Sequence, residues 1–259
     1  MLHKALSAAP GVEMHHEYMV HITQPLAVRR YLGLADEAES RSLLQATHGA
    51  AVHYSQAAQW GDSSNKLSWL IPDLTALFPQ AKFVHLVRDG RKVASSYFHK
   101  LTGECYDDRS TQVFQAFYDD PAKHPAPPPE KKYWWPVPRR ADPLAHEFRH
   151  YDQFQRIAWH WAEINRVILR SLDALPADRK HFVRLEDLRE HPSAVRRLYD
   201  FLNLPYREDY FAVFARPHNV NRPQDALLND RQREQFDNIA GGVMRILGYE
   251  NRPEYVMNY

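Results

Sequence analysis

The chain has 259 residues, with 33 basic and 32 acidic side chains and a formal net charge of +1. That length suffices for one sizeable α/β domain with a full core, and the balanced charge gives no support to a nucleic-acid partner, whose usual footprint is a basic excess. Cys105 is the single cysteine, so no intrachain disulfide can form and a reducing, cytoplasmic setting is the simplest expectation. The apolar runs are far shorter than a membrane span, Met1 leads into an amphipathic helix pattern rather than a signal peptide, and the 15 histidines are scattered without metal-ligand spacing.

In chain order, residues 1–9 (MLHKALSAA) read as the end of a helix stopped at Pro10-Gly11, and residues 12–18 (VEMHHEY) as a short strand. Helical patterns are expected at Pro25–Leu32 and Glu37–Gln59. Trp60 to Ser64 then reads as a strand end with a cap, followed by a helix over Asn65–Phe78. Lys82–Val87 is a buried-strand pattern, and Asp89–Lys100 the helix that follows it. Residues 102–140 change character: they are rich in Asp, Pro, Tyr and Trp, and PAPPPEKKYWWPVPRR predicts an extended, polyproline-like loop. A long helix is expected over Leu144–Leu172 and a strand over His181–Leu185. Further helices are expected at Ser193–Leu202, Glu208–Phe214 and Asp230–Leu247. This alternation predicts an α/β fold with a parallel sheet flanked by helices. A single domain, with one variable insertion at about 102–140, accounts for the pattern.

The densest chemical signal is FPQAKFVHLVRDGRKVASSY, Phe78 to Tyr97. A strand runs into a basic turn at Arg88 and then into a helix that carries Ser96 eight residues later. Ligands of open α/β sheets bind beyond the carboxyl ends of the strands, beside helix N-termini. An arginine there, with a hydroxyl on the helix, suits a phosphate; the plain alternative is an ordinary turn with a solvated arginine.

This segment closely resembles the 3′-phosphate-binding motif of the sulfotransferases, and the resemblance extends from Met1 to about Tyr249, weakest between Thr102 and His150. It implies a P-loop NTPase-like sulfotransferase fold. The implied activity is transfer of a sulfuryl group from 3′-phosphoadenosine 5′-phosphosulfate to an acceptor hydroxyl, without a metal. Arg88 and Ser96 match the Arg and Ser that hold the 3′-phosphate. In that family the first strand ends in an RSGTT-type loop whose N–H groups hold the 5′-phosphosulfate. This sequence has no such loop, and MLHKALSAAPGV looks like the helix just after it. The fold is therefore expected to be N-terminally truncated, with Met1 an internal methionine of a longer protein. The competing expectation is a degenerate nucleotide-binding or scaffold relative that has lost the loop.

Sulfuryl transfer needs a base for the acceptor proton and cations for the charge that builds on the leaving oxygen. Aligning MLHKALSAAPGVEMHHEY with the tyrosylprotein branch of the family places Glu17 at the base position, with His16 second and His15 third. The alternative is a polar strand end without chemistry. The family's GDKSP-like stretch, whose Lys reaches toward the transferring group, is WGDSSNK here. Ser63 holds the Lys position, so Asn65 and Lys66 become the candidates for that role. HFVRLEDLREHP resembles the family's YEDL segment near the adenine, with Leu185 in place of Tyr; Glu186 and Asp187 are expected to cap the next helix. HNVNRPQ resembles the loop that folds over the 3′-phosphate, which makes Asn219, Asn221 and Arg222 cofactor-binding candidates. Tyr133, Trp134 and Trp135, beside Lys131, Lys132, Arg139 and Arg140, suit a carbohydrate acceptor, or else the aromatics hold the loop to the core. A nucleoside-triphosphate kinase on the same fold fits less well, for want of a Walker-type Lys loop and an obvious magnesium carboxylate pair.

Overall fold

The computed structural model describes residues 1–215 and 227–254. Helix α1 (Leu2–Leu6) leads into strand β1 (Val12–His16), then helix α2 (Val20–Leu32). Helix α3 (Glu37–Leu44), capped by the Asp36 side chain, runs through one π turn (Gln45–Gly49) into α4 (Ala50–Tyr54). Strand β2 (Gln59–Ser63) is followed by a 3₁₀ turn (Lys66–Leu70), α5 (Ile71–Leu77), strand β3 (Phe83–Val87) and α6 (Gly90–Lys100). Next come α7 (Asp108–Asp119), α8 (Ala145–Phe148) and α9 (Gln153–Asp173). Strand β4 (Lys180–Arg184), α10 (Leu185–Glu190), α11 (Pro192–Phe201), α12 (Glu208–Ala215) and α13 (Asp230–Ile246) complete the order.

The strands are parallel and flanked by helices, as the alternation predicts. They form two pairs rather than one continuous sheet: β1 with β2, and β3 with β4. The register sets His16 opposite Ser63 and Val87 opposite Arg184. Among the described residues β2 and β3 share no ladder. Side-chain packing joins the pairs instead. Val12 and Met14 of β1 and Val84 and Leu86 of β3 lie against one cluster built from α1, α11 and α12, with Leu6, Leu198, Tyr199 and Phe214.

The other core centres on α9, which buries Phe154, Ile157, Trp161 and Ile164 at helical spacing. His85 of β3, itself buried, meets Asn165 of α9 at 2.8 Å, and burial pushes its pKa down. Gly90 opens α6 at a point where a Cβ would stand 2.6 Å from Phe236 Cζ and from Trp161 Cδ2. Only glycine lets α6 pack so closely on α9 and α13.

Several expected boundaries shift for identifiable reasons. Helix α2 begins at Val20 and carries Pro25 inside it, so the proline does not mark its start. The helix expected over Asn65–Phe78 begins as a 3₁₀ turn and becomes α-helical where Pro72 sits in the first turn of α5. The single helix expected over Leu144–Leu172 is two, because Asp152 and Gln155 form a capping box that starts α9 afresh. The 102–140 stretch is not all loop. Asp107 caps α7, which buries Thr111, Phe114 and Tyr118 along one face.

Candidate active site

The carboxyl ends of β1 and β2 lie side by side, and the chemistry gathers beyond them. His16, the last residue of β1, places Nδ1 2.8 Å from the Ser63 carbonyl and 3.2 Å from its hydroxyl. Glu17 follows with a left-handed backbone, φ 55, and its N–H continues the ladder to Ser63 O at 3.2 Å. Its carboxylate accepts a 2.6 Å hydrogen bond from Lys131 Nζ. Burial pushes the Glu17 pKa up, but the Lys131 hydrogen bond and the charges of Lys66, Lys131 and His16 outweigh it, and the net direction is down. Glu17 is therefore an ionised carboxylate at neutral pH, able to accept a proton without first losing one.

Lys66 opens the 3₁₀ turn after β2 and is 6% exposed. Its ammonium lies 4.0 Å from the centroid of the Trp135 ring. Burial lowers its pKa to about 8, against the pull of Glu17. Asn65 Nδ2 donates to the Tyr97 hydroxyl at 3.2 Å, which ties this turn to α6. Burial first, and nearby negative charge second, push that phenol up to about 12. Glu17, His16, Lys66, Asn65 and Tyr97 thus come from three separate segments to one locus, with Lys131 reaching in from the 102–140 stretch.

Arg88 stands one residue past β3, and Ser96 lies on α6 beside Tyr97. Both are half-buried, and among the described residues neither side chain has a hydrogen bond or ion pair. The neighbouring basic residues, by contrast, are taken. Arg91 grips Asp89 at 2.7 and 3.0 Å, and Lys92 lies 3.3 Å from Glu254. A guanidinium just before a capped helix and a hydroxyl nearly two turns along it, both unpaired among the described residues, fit a phosphate ester. Asn219, Asn221 and Arg222 lie outside the described residues.

The aromatics of the 102–140 stretch are mostly committed to packing. Trp134 and Trp135 are buried and donate their indole N–H groups to Pro128 O and Glu104 O, each at 2.7 Å. Arg139 lies over Tyr31 and Arg140 over Tyr118. Lys132 covers the half-buried Tyr133. Glu186 does not cap α10. It accepts from the Asp89 N–H at 2.9 Å and the Tyr249 hydroxyl at 2.8 Å, and so braces the start of α6. The link between Lys131 and Glu17 spans 114 positions, and no local pattern in the sequence announces it.

A cavity of about 700 Å³, lined by Arg30, Tyr31, Trp69, Arg139, Glu163 and Arg170 among others, lies apart from this locus. Among the described residues no group of three or more His, Cys, Asp or Glu side chains could hold a metal ion, and no helix is long and apolar enough to cross a membrane.

The comparisons with known proteins bear on this arrangement. No curated protein sequence matches the chain. The solved "Sulfotransferase Domain from the Curacin Biosynthetic Pathway" is similar at 17% identity and a TM-score of 0.39. That likeness covers 82% of this chain, which spans 65% of the length of the solved one. A model of the "Sulfotransferase family" matches residues 2–122, the half that holds Glu17, Lys66, Arg88 and Ser96. A model of the "Sulfotransferase domain" matches residues 68–215, more than half of the chain. With one model matching more than half of it and a second matching residues 2–122, this chain belongs to the sulfotransferase family.

Proposed function

We propose that the protein transfers a sulfuryl group from 3′-phosphoadenosine 5′-phosphosulfate to an acceptor hydroxyl. The donor, when bound, supplies the sulfuryl group and a bisphosphate that leaves. Glu17 takes the hydroxyl proton as the acceptor oxygen closes on sulfur. Lys66 offsets the charge that builds on the oxygen released from sulfur. Arg88 and Ser96 hold the 3′-phosphate, with Asn219 and Arg222 as further contacts, and His16 is the alternative base. The observation that carries this reading is the convergence of an ionised Glu17 and a buried, protonated Lys66 beyond the ends of two parallel strands. Lys66 keeps its ammonium out of water, over the Trp135 ring, where a charge is costly; Glu17, partly exposed and paired with Lys131, supplies the carboxylate.

A carbohydrate-type acceptor belongs to the same reading. Lys131 contacts Glu17, and Lys131, Lys132 and Tyr133 all remain at least partly exposed. The one cysteine, Cys105, is free and buried, which supports a cytoplasmic setting. The test is Glu17→Gln, measured for turnover and for donor affinity together. Turnover should fall by roughly 10²–10⁴-fold, with the donor Kd unchanged. Near-normal turnover removes Glu17 from the chemistry.

A further inference from the structure

We propose that Asp62 is the positioning residue for the Glu17 turn, with His48 as its support; this rests on Glu17 acting as the base. Glu17 and Met19 both have left-handed φ, 55 and 50. Each such non-glycine residue costs roughly 1–2 kcal/mol, and a turn of this kind persists only where its surroundings over-determine it. Two of its restraints are backbone bonds, Glu17 N–H to Ser63 O and Val20 N–H to Glu17 O, both 3.2 Å. The third depends on one side chain. The Tyr18 N–H, between the two left-handed residues, points at both oxygens of Asp62, each at 3.2 Å.

Asp62 sits one residue before the end of β2, its side chain 2% exposed. His48 Nε2 faces its Oδ2 at 3.4 Å, and His48 Nδ1 lies 3.2 Å from Thr47 Oγ1. His48 belongs to the π turn Gln45–Gly49, a wider turn of a kind often found beside functional sites. The rings of Tyr18, His48 and Trp60 close over one another edge to face, at 5.4 to 5.6 Å. Among the described residues no lysine or arginine pairs with Asp62. A buried carboxyl group given to one backbone N–H and one histidine is an expensive way to hold a loop, unless the loop must be held closely. Displacing a reacting group by about 1 Å can cost roughly 10²-fold in rate.

The test compares Asp62→Ala, Asp62→Asn and Glu17→Gln in the full chain. The readouts are donor Kd by calorimetry, kcat and KM, and the titration of the Glu17 carboxyl carbon by NMR. Asp62→Ala should lower kcat by roughly 10²-fold with donor Kd kept. The Glu17 titration should rise toward the ordinary carboxylate range as the group leaves Lys131 and Lys66. Asp62→Asn, which keeps an oxygen for the Tyr18 N–H, should retain several-fold more turnover than Asp62→Ala. If Asp62→Ala only lowers the thermal midpoint and leaves kcat and the Glu17 titration as in the wild type, the positioning role is overturned while Glu17 stands. If Glu17→Gln itself keeps normal turnover, the reading of Glu17 falls and this proposal with it. Should Asp62→Ala fail to fold, His48→Ala carries the test: kcat falls several-fold with donor Kd kept, and a wild-type kcat overturns the proposal.

Discussion

Replacing Lys66 by methionine should make the protein more stable and less active. The ammonium is 6% exposed, and burial brings its pKa from 10.5 to about 8. At 1.36 kcal/mol per pH unit, carrying that charge in the folded state costs about 3 kcal/mol at pH 7. Methionine fills similar space without a charge. It forfeits the cation–π contact with Trp135 at 4.0 Å, worth roughly 1–2 kcal/mol when desolvated. The balance is a gain of about 1–2 kcal/mol, or roughly 2–4 °C in Tm per kcal/mol for a chain of this size.

The pH dependence has a definite sign. Between about pH 8 and 10.5 the unfolded chain holds a proton on Lys66 that the folded chain has released, so this residue makes wild-type stability rise with pH across that window. The advantage of Lys66→Met should therefore be full at pH 7, smaller at pH 10 and nearly gone above about pH 10.5. Paired urea melts of the two proteins at pH 7 and pH 10 measure it. Turnover should fall by roughly 10²–10³-fold, the usual loss of one transition-state charge partner. A variant less stable than wild type by more than about 1 kcal/mol at pH 7 would refute the reasoning, because it would mean that Lys66 is a satisfied structural cation.

Two other substitutions probe the opposite side of the site and the packing beneath it. Arg88→Ala should weaken donor binding at least tenfold, since a charge-assisted pair to a phosphate contributes roughly 1.5–3 kcal/mol; calorimetry reads it, and an unchanged Kd removes Arg88 from the donor site. Gly90→Ala should destabilise by roughly 1–3 kcal/mol, because the added methyl meets Phe236 and Trp161 at 2.6 Å; a thermal midpoint equal to wild type would mean that α6 can move off α9 freely.

Much of this was legible in the sequence where the signal is local. The β3–Arg88–α6–Ser96 unit reads directly because a buried strand, the Asp89 cap and the helix are contiguous. Glu17 and His16 could be picked out from alignment; Glu17 lies within electrostatic reach of Lys66, and His16 against Ser63. Four things were not legible. The lowered pKa of Glu17, which runs against its burial, depends on Lys131, 114 positions away. Glu186 resembles an N-cap in sequence but is drawn to the Asp89 N–H and the Tyr249 hydroxyl by tertiary packing. Helix α7 sits in a stretch whose composition is dominated by the prolines after it; its Asp107 cap and the Phe114–Tyr118 pair were the available clue. The division of the strands into two pairs is likewise invisible in strand patterns, which mark strands but not their ladders.

The central claim is that an ionised Glu17 and a protonated Lys66 act together on sulfuryl transfer. The most direct measurement is the pH dependence of kcat/KM for transfer of sulfur-35 from labelled 3′-phosphoadenosine 5′-phosphosulfate to hydroxyl acceptors, because this ratio reports the free enzyme. With Glu17 held below the usual carboxylate range and Lys66 at about 8, the rate should be level from weakly acidic to neutral pH and fall as pH rises through about 8. A rate that climbs through pH 8, or label that moves equally well in Glu17→Gln, would contradict the account.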